Sequence, residues 1–293
     1  MRRGVLTVAT ALLPAAACGG LRGGQVPPST VGPAESPSPS AAEHARFVPR
    51  TYLEGDSVVM PVTFPDGTTA ELVYPPELDL AGMKAQPYGS GYGPGFARDF
   101  LVIYGTVEEF IGMYDDAELL ATYEDLQGGT VEFWRLPPDG VYLAFQFGSW
   151  TVLVYDYGSG EAQMSDEDRG LWATNLHGRD TKDGFLVLEA DPPLTLAWDR
   201  DYDSPELEFW SRAGDFTAVL LFVGECTPYH EGEGGFAHIE MVGGLAVSRD
   251  SQDFAAWCIP DASMTVHVYQ EPGDTFIDAV LGGLEVRNVE LAS

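Results

Sequence analysis

Residues 226–241, CTPYHEGEGGFAHIEM, contain the densest set of side chains that could do chemistry. His230, Glu233, His238 and Glu240 lie within a span that one hairpin could bring together, and in a strand the last two would share a face. Imidazole and carboxylate ligands suit zinc or another transition metal. The spacing matches no metalloenzyme motif such as H-E-x-x-H. We therefore expect either a metal site or a polar, glycine-rich loop leading into an edge strand.

A second acidic cluster, DRDYDSPE, places Asp199, Asp201 and Asp203 at alternate positions, as in the first half of a calcium-binding loop. The sixth position is Ser204 where an EF-hand needs glycine, and the twelfth is Trp210 where it needs glutamate. The cluster predicts a weak calcium site of another kind or a solvated acidic turn.

No linear motif identifies a catalytic residue. The chain has no G-x-S-x-G nucleophile elbow, phosphate loop or dinucleotide fingerprint, and no cofactor is expected. The run GSGYGPG, residues 89–95, is predicted to be a mobile surface loop; alternatively, Tyr88 and Tyr92 could line a ligand cleft. Paired acids for glycoside hydrolysis have no obligatory spacing, so the 45 acidic residues neither identify nor exclude them.

The elements that would position these residues are mainly strands. From about residue 50, apolar and polar residues alternate and β-branched and aromatic residues are frequent, which indicates β-structure. Three short helices are predicted; the first carries Thr106 and Glu109 at capping-box spacing. The fold class is therefore α+β and β-rich, with mostly antiparallel sheets and a few short helices.

An internal echo suggests two similar halves, at residues 49–192 and 193–293. In each, a strand (SWTVLVYDY or SMTVHVYQE) is followed by a short helix with acidic caps and then another strand. Chance alignment of strand-rich sequences is the alternative. The two halves could be separate domains or could share one sheet sandwich.

The folded part has two cysteines, Cys226 and Cys258, each at the end of a predicted strand. In an exported domain such a pair predicts one disulfide, which would close a loop of about 30 residues and stabilise the fold by roughly 3 kcal/mol. Two buried free thiols are the alternative.

The formal charge is −30, from 15 basic and 45 acidic side chains. The electrostatic field of such a negatively charged protein repels phosphate backbones, and we therefore expect no nucleic-acid partner. The surface could attract cationic partners. The acids are spread along the chain, however, which also fits a simple role in solubility.

The amino terminus reads MRRGVLTVATALLPAAACGG, with two arginines, a short apolar segment and then Ala16-Ala17-Cys18. The segment is too short to span a membrane but suits a signal peptide, residues 1–17. It resembles the signal peptides of bacterial lipoproteins, which implies lipidation of Cys18 and its exposure as the first mature residue. Ala15 stands where that family usually has leucine, so ordinary secretory cleavage after Ala17 stays open.

Residues 18–48 are rich in Gly, Pro, Ser and Ala, so they are expected to form a disordered tether. The membrane is then a partner through the lipid on Cys18, and the domain lies on the extracytoplasmic face of the cell membrane. We expect a non-catalytic role in binding, sensing or envelope assembly. The alternative is an exported hydrolase that acts on envelope material.

Overall fold

The computed structural model describes residues 46–93, 96–124, 130–137, 140–156, 163–200, 204–211, 217–224, 238–242, 245–249, 253–259, 262–271 and 275–292. These residues belong to one compact unit. None of the helices within these ranges is long and apolar enough to cross a lipid bilayer.

Strands dominate the described residues. They are β1 Tyr52–Glu54, β2 Ser57–Thr63, β3 Thr69–Tyr74, β4 Lys84–Tyr88, β5 Ser90–Gly93, β6 Phe96–Tyr104, β7 Glu118–Glu124, β8 Thr130–Leu136, β9 Gly140–Phe147, β10 Trp150–Tyr155, β11 Leu176–Asp180, β12 Leu186–Ala190, β13 Thr195–Leu196, β14 Glu206–Trp210, β15 Ala218–Val223, β16 His238–Val242, β17 Leu245–Arg249, β18 Phe254–Ile259, β19 Met264–Tyr269 and β20 Glu285–Glu290. The α-helices are α1 Val107–Ile111, α2 Asp166–Asn175 and α3 Phe276–Gly283, and short 3₁₀ turns span Pro76–Leu78, Leu80–Gly82 and Ala197–Arg200.

Four sheets contain these strands. Sheet I has the order β13-β5-β6-β10-β9-β8-β7, and sheet II has the order β16-β17-β18-β19-β15-β14-β4. A four-stranded sheet, β1-β2-β3-β20, and the pair β11-β12 complete the fold. Neighbouring strands run antiparallel throughout. The prediction of a β-rich fold with mostly antiparallel sheets and a few short helices is confirmed.

Strands cross the predicted boundary between residues 192 and 193. From the first half, β4 pairs with β14 in sheet II, and from the second half, β13 pairs with β5 in sheet I. The last strand, β20, returns to pair with β3 near the start of the domain. Each large sheet therefore needs a strand from the other side of the boundary.

The two large sheets share a strand order. In sheet I the run is β6-β10-β9-β8-β7, and in sheet II it is β15-β19-β18-β17-β16, so the strands follow the same chain path. A helix follows the run in both cases, α2 after β10 and α3 after β19. This shared path does not by itself decide whether the two halves are related in sequence, which stays a prediction.

The core follows the alternation of the strands. One large cluster of buried side chains includes residues from both large sheets, the four-stranded sheet, α2 and α3. A smaller cluster lies on the opposite face of sheet I, where Phe110 and Ile111 of α1 pack against Leu136, Ala144 and Leu153. Both faces of sheet I are thus covered in part.

A buried ion pair holds α2 against sheet I. Asp156, which is fully buried after β10, accepts hydrogen bonds at one oxygen from Nε and Nη2 of Arg169, at 3.0 and 2.8 Å. Its other oxygen accepts from the backbone N–H of Met164, at 2.7 Å. The guanidinium also lies 4.0 Å from the ring centre of Phe133. Such a fully hydrogen-bonded pair fixes the helix because separating its members would leave a buried charge.

The expectation that residues 89–95 form a loop is wrong for the described part of the run. Residues 90–93 are β5, and the chain passes from sheet II to sheet I at Gly89. A Cβ on Gly91 would lie 2.7 Å from Cη2 of Trp172, and one on Gly89 would lie 2.6 Å from Cζ3 of Trp198. The glycines are needed because two tryptophans pack directly on the backbone.

Candidate functional site

The residues of the two predicted metal sites lie only in part within the described ranges. His238 and Glu240 lie two residues apart in β16, at the edge of sheet II, whereas His230 and Glu233 lie outside the described residues. Across the parts of the chain that are described, no three His, Cys, Asp or Glu side chains are grouped to hold a metal ion. The transition-metal site stays a prediction.

The remaining predicted site residues also fall largely outside the described ranges. Asp199 lies in the 3₁₀ turn Ala197–Arg200, while Asp201 and Asp203 are outside them, so the calcium site stays a prediction. Cys258 is buried in β18, opposite Thr265 of β19. Cys226 and Cys18 are not among the described residues, so the disulfide and the lipidation also stay predictions.

A cavity of about 640 Å³ lies on the face of sheet I that α1 covers in part. Its size falls within the range of roughly 300–1,000 Å³ that is typical of small-molecule sites. It is lined by Thr106, Val107, Glu108, Ile111, Gly112, Thr130, Glu132, Trp134, Gln146 and Gly148. The lining is partly apolar and contains an indole and two carboxylates.

The start of α1 forms one wall of this cavity. Thr106 and Glu109 form the predicted capping box: Thr106 Oγ1 accepts from the backbone N–H of Glu109 at 3.2 Å, and the Thr106 N–H donates to Glu109 Oε2 at 2.9 Å. Phe110 and Ile111 anchor the helix in the small cluster. The cap and the apolar anchor together set where the helix begins, and therefore where the cavity opens.

Strands β8 and β9 form the floor. Glu132 and Trp134 alternate with Phe133, which is buried in the main core, so both point to the face that carries the cavity. The indole Nε1–H of Trp134 donates to Glu132 Oε2 at 2.8 Å. This hydrogen bond holds an aromatic ring and a carboxylate side by side at the cavity.

Gln146 connects the floor to the helix. Its Oε1 accepts from the backbone N–H of Val107 at 2.9 Å, and its Nε2 donates to the carbonyl oxygens of Gly148 at 2.8 Å and Trp150 at 3.1 Å. Because the amide is used on both sides, Gln146 fixes the shape of the cavity. Glu108, Glu132 and Trp134 add two carboxylates and an indole to the lining.

Sheet II carries a second carboxylate arrangement on β14. Glu206 and Glu208 lie on one face and are both buried, with 7% and 9% of their surfaces exposed. Glu208 Oε2 accepts a hydrogen bond from Nε1 of Trp210 at 2.7 Å. Burial raises the pKa of Glu208, while its hydrogen bonds to Trp210 and Glu206 and the charge of Lys84 oppose the rise.

Two further titratable groups, Lys84 of β4 and His267 of β19, lie on the same face. Leu220 of β15 separates Glu208 from His267 of β19 in the strand register. Burial lowers the pKa of His267 to about 4 and also lowers the pKa of Lys84. This face holds polar groups in an environment that disfavours their charges.

A larger cavity, of about 770 Å³, lies beside the four-stranded sheet, and its lining includes both acidic and basic side chains. Its residue Glu71 is already engaged: Oε2 accepts from Arg287 Nε at 2.9 Å and from Asn288 Nδ2 at 2.7 Å. Arg287 is held in turn by Glu54. These contacts stabilise the pairing of β20 with β3, so we assign them a structural role.

Our sequence-based candidates did not include Glu132, Trp134 or Glu208. The available signal was the tripeptide Glu-Phe-Trp, which occurs at residues 132–134 and again at 208–210. In a strand its first and third residues share a face, so a carboxylate and an indole are brought together in both places. Comparisons with protein-family models, curated proteins and solved structures find no match for this chain.

Proposed function

We propose that the protein is an exported, membrane-anchored lipoprotein whose domain binds a small molecule at the extracytoplasmic face. The lipoprotein-like signal at residues 1–20 supports export and anchoring at Cys18, and the composition of residues 18–48 supports a tether. The binding role rests on the cavity beneath α1. The observation that carries it is the pair of Glu132 and Trp134, held together by their hydrogen bond at a cavity of ligand size.

The alternative, a hydrolase of envelope material, would use Glu206 and Glu208. Glycosidase carboxylates are separated by about 5–5.5 Å or by 6.5–9.5 Å, depending on the stereochemical course. Glu206 and Glu208 are alternate residues of β14, so both carboxyl groups lie on one buried face of sheet II, and a hydrolase would use them there as its acid and base.

Ligand binding can be tested with fluorine NMR on the protein labelled with 5-fluorotryptophan. The chain has six tryptophans, and the resonance that disappears in Trp134→Phe belongs to Trp134. We expect at least one compound in a set of small amines, sugars and neutral alcohols to move this resonance. The resonance of Trp257, which is buried in the core of sheet II, should stay in place. If no compound moves the Trp134 resonance selectively, the binding proposal fails.

The hydrolase alternative has its own test. Purified protein is incubated with isolated cell envelope and soluble products are measured, with Glu206→Gln and Glu208→Gln as site variants and Glu132→Gln as the matched control. The binding proposal predicts no release above background with any of these proteins. Release that both site variants abolish and Glu132→Gln retains would establish the hydrolase instead.

Anchoring is tested by Cys18→Ser in a bacterial host. We expect the unmodified chain in the membrane fraction and the variant in the soluble exported fraction, because the lipid would be its attachment. If the variant is still membrane-bound and is processed in the same way as the unmodified chain, the lipoprotein assignment is wrong.

We also propose that residues 49–192 and 193–293 derive from one ancestral unit. The shared strand order and the helix after β10 and β19 support this proposal, as does the exchange of β4 and β13 between the two large sheets. If the two halves, superposed through their five shared strands, fail to align the strands that follow α2 and α3, the proposal is wrong.

A further inference from the structure

We infer that the cavity beneath α1 binds a small organic cation, such as a quaternary ammonium compound. This inference rests on the proposed binding function and adds the chemical class of the ligand. It depends on the charge of the lining, on the indole of Trp134, and on the hydrogen bonds that the N–H groups at the start of α1 already make within the protein.

The charge of the cavity is the first argument. Its lining contains Glu108 and Glu132, and no Lys, Arg or His is among the residues described there. The whole chain carries a formal charge of −30. A cleft of one charge sign on a protein of the same sign concentrates counter-ions, so cationic ligands are favoured over anionic ones.

The indole is the second argument. The face of a tryptophan ring attracts cations through its quadrupole, and tryptophan does so more strongly than tyrosine or phenylalanine. Here the hydrogen bond to Glu132 keeps a carboxylate next to the ring, so both groups can act on one positive charge. An aromatic face beside a carboxylate suits an ammonium group with an alkyl shell.

The apolar part of the lining argues against an inorganic ion. Val107 and Ile111 belong to the small hydrophobic cluster and also line the cavity, which is far larger than a metal ion needs. Such a surface cannot replace the oxygen ligands that calcium or magnesium require. It can bury the carbon atoms of an organic cation.

The helix start does not provide a competing anion site. The Val107 N–H donates to Gln146 and the Glu109 N–H donates to Thr106, so these donors are already used. The carboxylate of Glu109 closes the capping box. Glu108 is exposed and adds negative charge in the same turn.

The experiment compares choline with 3,3-dimethylbutan-1-ol, its neutral isostere. Titrations on the fluorotryptophan protein follow the Trp134 resonance. We expect choline to bind at least about tenfold more tightly than the alcohol, because only choline gains from the ring and the carboxylates. Raising the salt concentration from about 0.01 M to about 0.1 M shortens the screening length from roughly 30 to 10 Å, so choline should bind more weakly at the higher salt concentration.

Variants locate the effect. Glu132→Gln should weaken choline binding about tenfold and leave binding of the alcohol within about twofold, since it removes one charge at the ring. Glu285 of β20 is exposed and is not among the residues that line the cavity. Glu285→Gln removes the same charge and should change the binding of neither choline nor the alcohol. Equal effects of the two variants on choline would show a general field effect and overturn the inference.

The outcomes separate this inference from the proposed function. If the alcohol or a sugar binds as tightly as choline, the cavity is a binding site but the cation assignment is wrong. Binding to phosphatidylcholine vesicles by Cys18→Ser, without binding of free choline, would assign the ammonium group to a lipid and overturn the free ligand. If no compound of any class moves the Trp134 resonance, the proposed binding function itself fails.

Discussion

Two strands in different sheets carry the tripeptide Glu-Phe-Trp, and the surroundings of its carboxylate differ. In both, the phenylalanine is buried in the main core and the indole donates to the glutamate two residues earlier, at 2.8 and 2.7 Å. Glu132 borders a cavity, whereas Glu208 is buried beside Glu206. The local geometry is the same, but the chemistry available to the acid is not.

The cross-strand neighbours account for the difference. Glu132 faces Thr122 on one side and Ala144 on the other, and these short side chains leave space around it. Glu208 faces Gln86 and Leu220, which are longer and cover it. The same three residues therefore place a carboxylate beside a cavity in sheet I and a buried carboxyl group with a raised pKa in sheet II.

The largest expected effect concerns His267 on the sheet II face. Its ring centre lies 4.5 Å from that of Phe222 and 5.5 Å from that of Phe254, and burial lowers its pKa from 6.5 to about 4. The folded protein keeps the imidazole neutral while the unfolded chain takes up a proton, so stability falls as the pH drops from 6.5 to 4. The loss should be about 3 kcal/mol, and His267→Phe should remove it.

Urea unfolding at several pH values measures this slope. Tyr269→Phe is the matched control, because Tyr269 also contacts Phe254 and its loss removes no group that titrates below pH 7. A slope in His267→Phe as steep as in the unmodified protein would show that the sheet II face does not hold a neutral imidazole.

The next effect separates the two indoles. Trp210→Phe removes a donor that lowers the pKa of buried Glu208 and should cost about 2 kcal/mol at pH 7, while Trp134→Phe should cost about 1 kcal/mol or less because water can replace the donor at Glu132. Both variants lose similar ring area, so the difference in their urea midpoints reports the hydrogen bond. Equal losses would mean that the two carboxylates are equally solvated.

A smaller effect is expected at the acids themselves. Because burial raises the pKa of Glu208, its protonated form is favoured in the folded state, and its stabilising effect is lost as the pH rises above 4.5. Glutamine resembles the protonated acid, so Glu208→Gln should raise stability at pH 7 and give less gain at pH 4. Glu132→Gln should stay within about 0.5 kcal/mol at both pH values. A loss of stability in Glu208→Gln at pH 7 would contradict the raised pKa of Glu208.

The smallest effect is expected at the exposed edge of sheet I. Arg135 of β8 donates to Glu118 of β7, and both side chains are more than half exposed. A double-mutant cycle with Arg135→Ala and Glu118→Gln should give a coupling of about 0.5 kcal/mol or less, and it should disappear at high salt. A coupling several times larger would mean that this edge is as well shielded from water as the β14 face.

Much of the fold could be predicted because it depends on local patterns. β-branched and aromatic residues in segments such as WTVLVY identified strands, and the spacing of Thr106 and Glu109 identified the start of α1. The loop prediction for the glycine run was wrong because Gly91 in β5 packs against Trp172 and Gly89, just before β5, packs against Trp198, and both tryptophans lie far along the chain.

The candidate site was harder to predict for the same reason. Its wall and floor, Val107 and Trp134, are brought together by Gln146 and by the packing of α1, and no spacing in the sequence reports those contacts. The two predicted metal clusters were chosen for residue type along the chain. The cavity is formed instead by residues of α1, β8 and β9 that are distant in sequence.

The sequence by itself determined the strand-rich class, the cap of α1 and the strongly acidic charge, and the hypothesis of a lipid anchor at Cys18 rests on it alone. Tertiary structure decided the exchange of β4 and β13 between the large sheets and the different surroundings of Glu132 and Glu208. Alternation and capping act over a few residues and can be recognised in one segment. Burial and protonation depend on which distant side chains lie across the sheet, and only the folded chain brings those together.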